Sequence, residues 1–421
     1  MSRLDVRLSA LVVNYNTGAF AVRCVETLIA DWLRDGRQRD DLEVVVVDNA
    51  SPMEQEPWML KLEELGALVI RHQENGGYAK GMNLAYSHTS GGPKDVVAIL
   101  NPDLYFWPGA LTKLMDYILE HEDCGVVAPK AFIDHGQVLQ LPRNNLPDLM
   151  DHFRTTAAQF SRTACRAYSR RRLKEALPWW ESDGPLDTDM LSGCCLFMRR
   201  EVVDSLPALM DERFPLYYED TDLMRELSSR GYRLVCLGSA KLLHHWSRSA
   251  GIGNAEDSDP TIRYRISQDE YFKKYNGAFG AKVARVVSWL AARWPEQYSF
   301  RQMHPVTHLG DFHEPVVIPL PRKCNFLIEL ALGPTWLLAV GILGEEPADQ
   351  WVCPPETWQW FFKAQYFMRA IDRDTGEFLG AWSFMKLVEG RYEPLELSND
   401  ELEILGRESA RLSGEAVETK E

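Results

Sequence analysis

The chain has 421 residues, 46 Lys plus Arg against 61 Asp plus Glu, and a formal net charge of -15. That length allows two or three domains, and a hydrophobic share of 45% with 25% charged residues excludes wholesale disorder. The acidic balance argues against nucleic acid as a partner, because neutralising phosphates requires clustered Lys and Arg. The eight cysteines are scattered without a C-x-x-C pair, which predicts reduced structural thiols and no zinc site.

The amino-terminal stretch is apolar only over the length of one strand, so no signal peptide is expected. No uninterrupted apolar run reaches the roughly 18 residues that a membrane-spanning helix needs. We therefore expect a cytoplasmic protein, either free or peripheral at the inner face of a membrane.

The amino-terminal part alternates between predicted strands and predicted helices. Buried β-branched runs predict parallel strands at Leu8–Val13, Val44–Val47, Ala67–Ile70 and Val96–Leu100. Helices are predicted over Gly18–Leu33, Tyr78–Ser87 and Gly109–Glu120. This alternation indicates an α/β fold with a mostly parallel sheet, in which ligands bind beyond the carboxyl ends of the strands.

The middle of the chain, residues 147–185, is predicted to be irregular and is locally basic between Arg162 and Lys174. Two interpretations are open: a solvated helix face, or a loop that meets an anionic acceptor or a membrane surface. Beyond it we predict ordered segments over Met190–Met198, Glu219–Arg230, Tyr232–Leu237 and Lys241–His245. Residues 262–294 are predicted to form two helices.

The periodicity changes after a predicted linker over residues 295–311. Strand-length runs follow at Val316–Leu320, Asn325–Leu332, Trp336–Ile342, Ala364–Asp372 and Phe378–Met385. Turn sequences between them, such as Asp374-Thr375-Gly376, predict a small all-β domain. An aromatic group in this part is either a platform for stacking sugars or the core of the domain: Trp351, Trp358, Trp360, Phe361, Phe362 and Tyr366.

These patterns predict four parts of the chain. Residues 1–250 form the α/β domain, and residues 251–311 form a helical extension with the linker. Residues 312–394 form a β-rich accessory domain that holds the acceptor, docks a partner or mediates oligomerisation. Residues 395–421 form an acidic tail, expected to be a weak helix or disordered.

Polar clusters follow the predicted strands. Asn14 and Asn16 end the first strand, and Asp48 and Asn49 end the second, where they can hydrogen-bond a base edge or a ribose hydroxyl. Asp and Asn are common in turns, so each of these turns taken alone is weak evidence for a binding site. The glycine-rich run from Asn75 to Asn83 opens a helix, whose free amides and dipole favour a phosphate.

Two further clusters contain carboxylates. Asp103 stands on the turn after the fourth strand, where a hard cation could bind with substrate phosphates in its shell. Glu219, Asp220 and Asp222 open a helix, where acidic residues also serve as caps. Repulsion among three acids in a cleft would raise one pKa, which suits a general base.

Together the segments VVNYN, VVDNAS, NGGYAKGMN, LNPDL, LSGCCLFMRR, YYEDTDL and HHWSRS resemble the inverting family-2 glycosyltransferases of the GT-A fold. The likeness covers residues 8–250 and is greatest for the rhamnosyltransferase-like branch. One departure is Asn101 in Asn101-Pro102-Asp103, where many relatives have a carboxylate, and this leaves the need for a cation open.

The resemblance implies a role for each site residue. Asp48 would contact the base or ribose, and Asp220 would be the catalytic base beside Glu219 and Asp222. Asp103 would bind Mg²⁺ or Mn²⁺, with His244 as a second ligand in a pattern that includes Ser249; His245 stays a rival. The remaining residues implied at the nucleotide-sugar site are Asn14, Asn16, Asn49, Asn75, Gly77, Lys80, Asn83 and Asn101.

The family's reaction moves a sugar from a dTDP- or UDP-linked donor, such as dTDP-rhamnose, to a hydroxyl of a glycan or lipid-linked acceptor, with inversion. A role in polysaccharide biosynthesis and peripheral contact with a membrane are implied with it. A catalytically weak carbohydrate-binding or scaffold protein is the alternative, and a sugar-nucleotide pyrophosphorylase is disfavoured. The latter class would carry a Gly-rich, Arg-bearing signature where this chain has Asn14-Tyr15-Asn16.

Overall fold

The structure is a computed structural model that describes residues 6–245, 259–293, 304–336 and 338–413. It divides into two compact units, each assembled from separate stretches of the chain. The first unit takes Met1–Lys130, Gly184–Gln268 and Glu393–Glu421, and the second takes Ala131–Asp183 and Asp269–Tyr392.

A mixed sheet forms the centre of the first unit. Its strands are β1 (Leu8–Asn14), β2 (Leu42–Asp48), β3 (Leu68–Arg71), β4 (Val96–Leu100), β5 (Leu104–Phe106), β6 (Cys124–Phe132), β7 (Pro185–Thr188), β8 (Cys195–Arg199) and β9 (Arg233–His244). The order is β3-β2-β1-β4-β8-β6-β9-β5, with β7 beside β9. Strands β1 to β4 pair in parallel, whereas β8 is antiparallel to β4.

The helices lie before, between and after these strands. In chain order they are α1 (Gly18–Arg34), α2 (Glu56–Glu64), α3 (Tyr78–Ser87), α4 (Ala110–Glu120), α5 (Leu149–Phe160), α6 (Arg162–Glu181), α7 (Arg200–Asp204), α8 (Glu219–Ser229), α9 (Asp259–Arg293), α10 (Pro355–Trp358) and α11 (Asn399–Ser413). Helix α9 is two helices joined at Gly277, whose φ of 70° breaks the helical path. The predicted α/β fold class is confirmed.

One buried carboxylate joins two helices of the first unit. Asp31, on α1, accepts hydrogen bonds from the backbone N–H groups of Gly109 (2.7 Å) and Leu111 (2.9 Å). It thereby serves as the cap for α4 in place of a side chain at Gly109. Burial raises the pKa of Asp31, and these two amide bonds with Arg34 oppose that shift.

The second unit is built on two antiparallel arrangements of strands. Its strands are β10 (Thr307–Phe312), β11 (Val317–Cys324), β12 (Phe326–Ala331), β13 (Val340–Leu343), β14 (Ala348–Val352), β15 (Gln365–Asp372) and β16 (Phe378–Lys386). They form a sheet of order β10-β16-β15-β12-β13 and a separate β11-β14 pair. The strand-rich character predicted for this part is confirmed, although β10 itself runs parallel to β16.

Two predictions for the second unit are wrong. The middle segment is not irregular, because α5 and α6 occupy most of residues 149–181. The segment predicted as a linker contains β10, which pairs with β16.

The aromatic group of the second unit is core. Trp351, Trp358, Trp360, Phe361 and Tyr366 are buried, so the interpretation as a sugar-stacking platform is not supported. Burial of apolar side chains makes the main favourable contribution to the free energy of folding of a small β-rich unit.

The carboxyl-terminal helix α11 packs against the first unit. Glu401 is buried and accepts a hydrogen bond from the hydroxyl of Tyr105 (2.5 Å). Asp400 pairs with Arg34 of α1 at 2.6 Å, and Arg23 donates to the carbonyl of Leu395. The tail is therefore helical through residue 413, where the described part of the chain ends.

Replacing Asp31 with alanine leaves two buried amide donors at the start of α4 without their acceptor. We expect the free energy of unfolding to fall by about 2 kcal/mol, since each unsatisfied buried group costs about 1–3 kcal/mol. Chemical denaturation followed by circular dichroism measures the change. Asp40→Ala is the control, because that exposed carboxylate makes only a 3.6 Å ion pair with Arg411; equal stability of the two variants would contradict the capping role.

Candidate functional site

The parallel register of β1 and β2 brings the first two polar clusters together. Asn14 lies opposite Asp48, and its amide nitrogen donates to the Asp48 carboxylate at 2.7 Å. The hydroxyl of Ser51 donates to the same oxygen at 2.6 Å. Asn16 has a φ of 57° and donates its backbone N–H to Ser51. Asp48 is thus oriented by two donors at the end of the sheet.

The buried side chain of Asn49 holds the glycine-rich loop. Its amide nitrogen donates to the side-chain oxygen of Asn75 and to the carbonyl of Gly77, both at 3.1 Å. Its oxygen accepts from the N–H of Gly76. Arg263, on α9, contacts the Asn75 oxygen at 3.4 Å and adds a positive charge that sequence reasoning did not place there.

Gly77 is required by the protein's own backbone. Its φ is 87°, and a Cβ added there would lie 2.4 Å from the carbonyl oxygen of Pro215. That carbonyl accepts the N–H of Tyr78, the first residue of α3. A side chain on Gly76, by contrast, would meet only the flexible stem of Lys80, whose side chain is exposed.

Asn83 makes its contacts within the protein. Its nitrogen donates to the carbonyl of Met210 at 2.9 Å, and its oxygen accepts from the Met210 N–H at 3.0 Å. Glu212 accepts a further bond from the same nitrogen. This side chain positions the segment that leads to Pro215, and its contact with a nucleotide stays a prediction.

Asp103 and His244 form a buried pair. His244 ends β9 and lies opposite Leu104 of β5, with 3.3 Å between its Nε2 and the Asp103 Oδ1. Burial is the largest influence and lowers the pKa of His244, but the charge and hydrogen bond of Asp103, together with those of Cys194, raise that pKa to about 10. Burial opposes ionisation of Asp103 as well, yet His244 lowers the pKa of Asp103 below its usual range. Both groups are therefore ionised at neutral pH.

His245, the alternative candidate for a metal ligand, has different surroundings. His245 donates its backbone N–H to the carbonyl of Asp103 at 3.0 Å, and its ring packs edge-on against Phe20. The imidazole beside the Asp103 carboxylate is that of His244. Ser249, the other residue of the pattern, lies outside the described residues.

Tyr78 links the predicted carboxylates. Its hydroxyl donates to the Asn101 side chain at 3.0 Å, and Asn101 lies 3.4 Å from His244 Nε2. The pKa of Tyr78 is raised mainly by burial and then by nearby groups, in the order Glu219, Cys194, Asp220 and Asp103. Groups from the turn after β4, from the segment before β8 and from α8 thus act on one hydroxyl, which sequence reasoning had not singled out.

The two acids that begin α8 differ in their surroundings. Asp220 is partly exposed, and its carboxylate accepts the N–H of Gly193 at 3.1 Å and that of Thr221 at 2.7 Å. Burial raises the pKa of Asp220, and these two bonds oppose the shift. Glu219 is buried, and burial followed by the charge of Asp220 raises its pKa well above the usual range. Asp220 is therefore the more accessible of the two acids, and burial favours the neutral form of Glu219; Asp222 is buried in the helix.

The turn before α8 is strained. Tyr217 and Tyr218 have φ values of 63° and 67°, a region that bulky residues rarely occupy. Gln268, on α9, donates to the hydroxyl of Tyr218 at 3.1 Å and to that of Tyr264 at 3.2 Å. Strain of this kind collects at ligand sites, where surrounding contacts hold it. The α9 residues escaped sequence reasoning because no motif marks them.

The described side chains supply only part of the ligand shell that a cation needs. Within the described residues no group of three or more His, Cys, Asp or Glu side chains surrounds a common point. Asp103 and His244 are adjacent, and the Nδ1 of His244 has no hydrogen-bond partner in the described ranges. Two protein groups fit a cation of the type that completes its shell with substrate phosphates and water.

Comparison with known proteins identifies the domain. Residues 9–177 match the description "Glycosyl transferase family 2". An N-acetylglucosaminyl-diphospho-decaprenol L-rhamnosyltransferase of Mycobacterium tuberculosis is 29% identical over 159 residues, which are 37% of this chain and 49% of that protein. The O-antigen biosynthesis protein RfbC of Myxococcus xanthus is 31% identical over 106 residues, 22% of this chain and 8% of that protein.

The predicted resemblance is confirmed over residues 9–177, which match glycosyl transferase family 2. The match spans about half the length of the M. tuberculosis rhamnosyltransferase.

The solved structures that are similar to this chain have lower sequence identity to it. A mannosyltransferase from Pyrobaculum calidifontis, in complex with GDP-Man and Mn²⁺, has a TM-score of 0.39 at 15% identity, covering 69% of this chain and 77% of that one. TarS of S. aureus has a TM-score of 0.41 at 13% identity, covering 90% of this chain and 78% of that one.

The close approach of Gly77 to Pro215 predicts a sharp difference between adjacent glycines. Gly77→Ala should lower the free energy of unfolding by about 2 kcal/mol or more, because a Cβ meets backbone at a positive φ. Gly76→Ala should cost much less, since the Lys80 stem can move away. Thermal denaturation of both variants measures the difference, and equal melting temperatures would contradict this account of the loop.

Proposed function

We propose that the protein is an inverting glycosyltransferase that moves a sugar from a nucleoside-diphosphate-sugar to a hydroxyl of a glycan or glycolipid acceptor. The observation that carries this proposal is the series of contacts from the Tyr78 hydroxyl to Asn101 and on to the Asp103–His244 pair, with the charges of Asp220 and Glu219 acting on the same hydroxyl. The match of residues 9–177 to glycosyl transferase family 2 supports the same chemistry.

The donor that we infer is dTDP- or UDP-linked, with dTDP-rhamnose the first to test. Asp48, held by Asn14 and Ser51, offers a fixed acceptor to a base N–H or a ribose hydroxyl. The relative's name supports rhamnose as the sugar and a diphosphate-linked lipid saccharide as the acceptor. Asn49 and Asn75 would keep the glycine-rich loop open beside the diphosphate.

Asp220 is the base in this proposal. Its carboxylate is partly exposed and is fixed by the N–H groups of Gly193 and Thr221, so it can accept the proton of an acceptor hydroxyl. The acceptor oxygen would attack the anomeric carbon opposite the leaving diphosphate. Burial and the charge of Asp220 raise the pKa of Glu219, which favours its neutral form and limits the negative charge beside an anionic donor.

Asp103 and His244 are the residues that would hold a divalent cation, Mg²⁺ or Mn²⁺. When bound, such a cation offsets the negative charge that develops on the departing diphosphate. His244 must give up its proton to act as a ligand, and the charge of the cation would then take over from His244 in favouring the ionised form of the buried Asp103 carboxyl. Asn101 accepts the Tyr78 hydroxyl bond and thereby fixes the turn that carries Asp103.

Asp220→Asn should lower the rate of sugar transfer by about 10²- to 10⁴-fold, because the amide cannot accept the proton. Binding of the nucleotide-sugar should persist, as measured by isothermal titration calorimetry beside the transfer assay. Glu226→Gln, on the same helix, is the matched control and should keep the wild-type rate. Near-normal transfer by Asp220→Asn would remove Asp220 from the role, and loss of donor binding would point to a structural defect instead.

Asp103→Asn should remove the part of nucleoside-diphosphate affinity that depends on Mn²⁺. We expect the wild-type protein to bind dTDP or UDP more tightly with Mn²⁺ than with EDTA, whereas the variant binds equally in both. His244→Gln tests the second ligand, and Asp40→Asn is an exposed carboxylate control. Calorimetry gives the readout without turnover. An unchanged Mn²⁺ effect in both site variants would contradict the assignment.

A further inference from the structure

The second half of α9 presents an unusual surface within the second unit. Phe279 is 80% exposed and Trp289 is 52% exposed, with Val286 and Leu290 also exposed beside them. Their spacing of three and four residues puts them on one face of the helix. Helices of water-soluble units normally turn such residues inwards, so a contiguous apolar face marks an interaction site.

Basic residues flank this face, and acids are missing from it. Residues 271–293 contain Lys273, Lys274, Lys282, Arg285 and Arg293 and no Asp or Glu, in a chain of net charge -15. Two of these cations pair with acids that come just before this stretch, Lys273 with Glu270 and Arg285 with Asp269. Lys282 and Arg293 are exposed, and the Arg293 guanidinium lies 3.9 Å from the centre of the Trp289 ring. The local charge is thus opposite to that of the protein as a whole.

The opposite side of the helix fixes its orientation. Ala281 and Ala284 are buried, and the His152 ring of α5 lies 3.3 Å from the Ala284 carbonyl and 3.2 Å from the Ser288 hydroxyl. Helix α5 exposes Met150 and Phe153 as well. The apolar side chains therefore point outward because the small residues of α9 pack inward.

We propose that this face, defined by Phe279, Lys282, Val286, Trp289, Leu290 and Arg293, docks the protein on an anionic lipid surface. A basic amphipathic helix that exposes Trp, Phe and Leu lies in the plane of a bilayer interface, with its apolar side chains among the acyl chains. In a symmetric dimer this basic face would meet the same basic face of a second copy, and like charges would repel, so charge complementarity favours anionic headgroups as the occupant. Within the described ranges, no helix has the length and hydropathy needed to span a bilayer.

The membrane contact that we propose lies on α9 and not on the basic segment of α6. Trp179 and Trp180 are buried, and the Trp180 ring packs where a Cβ on Gly341 would lie, so neither can anchor in lipid. Arg171 of that helix pairs with Glu175 at 2.8 Å. Lipid docking through α9 goes beyond the proposed sugar transfer, because it can be measured with no donor or acceptor present.

The test is flotation of the full chain with phosphatidylcholine vesicles, with and without phosphatidylglycerol. The wild-type protein should bind the phosphatidylglycerol vesicles, and salt should weaken that binding. Trp289→Glu and Lys282→Glu should each weaken it about tenfold, since each changes an interfacial contact worth about 1 kcal/mol or more. Leu60→Glu, on α2, and Arg170→Glu, on α6, are the controls and should bind as the wild type does.

Several results would overturn the proposal. They are failure of the wild-type protein to bind phosphatidylglycerol vesicles, equal binding by Trp289→Glu, and loss of binding only in Arg170→Glu. Sedimentation velocity tests whether a second copy of this chain covers the face. A dimer that Trp289→Glu dissociates, with no vesicle binding by the wild type, would assign the face to a second copy. Circular dichroism shows whether each variant is folded, and Phe279→Ser provides a milder change if Trp289→Glu is not.

Discussion

The buried ion pair of Asp103 and His244 is the constraint on which the site depends. Burying one charge alone costs several kcal/mol, so each group tolerates its position only because the other is ionised. The pair holds the end of β9 against the turn after β4, and the pairing of Leu104 with His244 continues that contact along the strands. The ion pair therefore favours the ionised form of the Asp103 carboxyl.

A second pair of acids, nearby, shows the opposite behaviour. Burial raises the pKa of Glu219 and of Asp220, whereas the ion pair lowers the pKa of Asp103. Environments that push carboxyl pKa values apart separate the roles that the groups can play. In this protein the fixed anion suits the binding of a cation, and the carboxylate with a raised pKa suits proton transfer.

The sheet of the first unit could be predicted because buried parallel strands leave a strong local signal. Val96–Leu100 is continuously apolar and Leu8–Val13 is interrupted only by Ser9, and the two runs agree with β4 and β1 to within a residue. The helix α6 could not be predicted, since its Arg-rich sequence lacks a periodic apolar face and contains Pro178. Strand β10 was missed for a similar reason: most of its side chains are at least partly exposed, so no alternation appears.

The sequence predicts where the site lies in the fold, but it does not predict most of the contacts within the site. Strand ends bring Asn14, Asp48 and Asn101 to one edge, and that follows from parallel pairing alone. The need for Gly77 comes from Pro215, more than a hundred residues away in the sequence, and no local pattern contains that information. Tyr78 gains its importance from four groups that only the folded chain brings together.

The return of α11 to the first unit has a consequence for how the protein can be divided. Truncation after residue 250 or 311 would remove α11, and Arg34 and Tyr105 would lose the partners that Asp400 and Glu401 supply. The first unit is interrupted twice, at Lys130 and at Gln268, and it is completed only by the last stretch of the chain. A minimal fragment therefore has to be made by excising internal segments and rejoining the ends, and shortening from the carboxyl terminus cannot produce it.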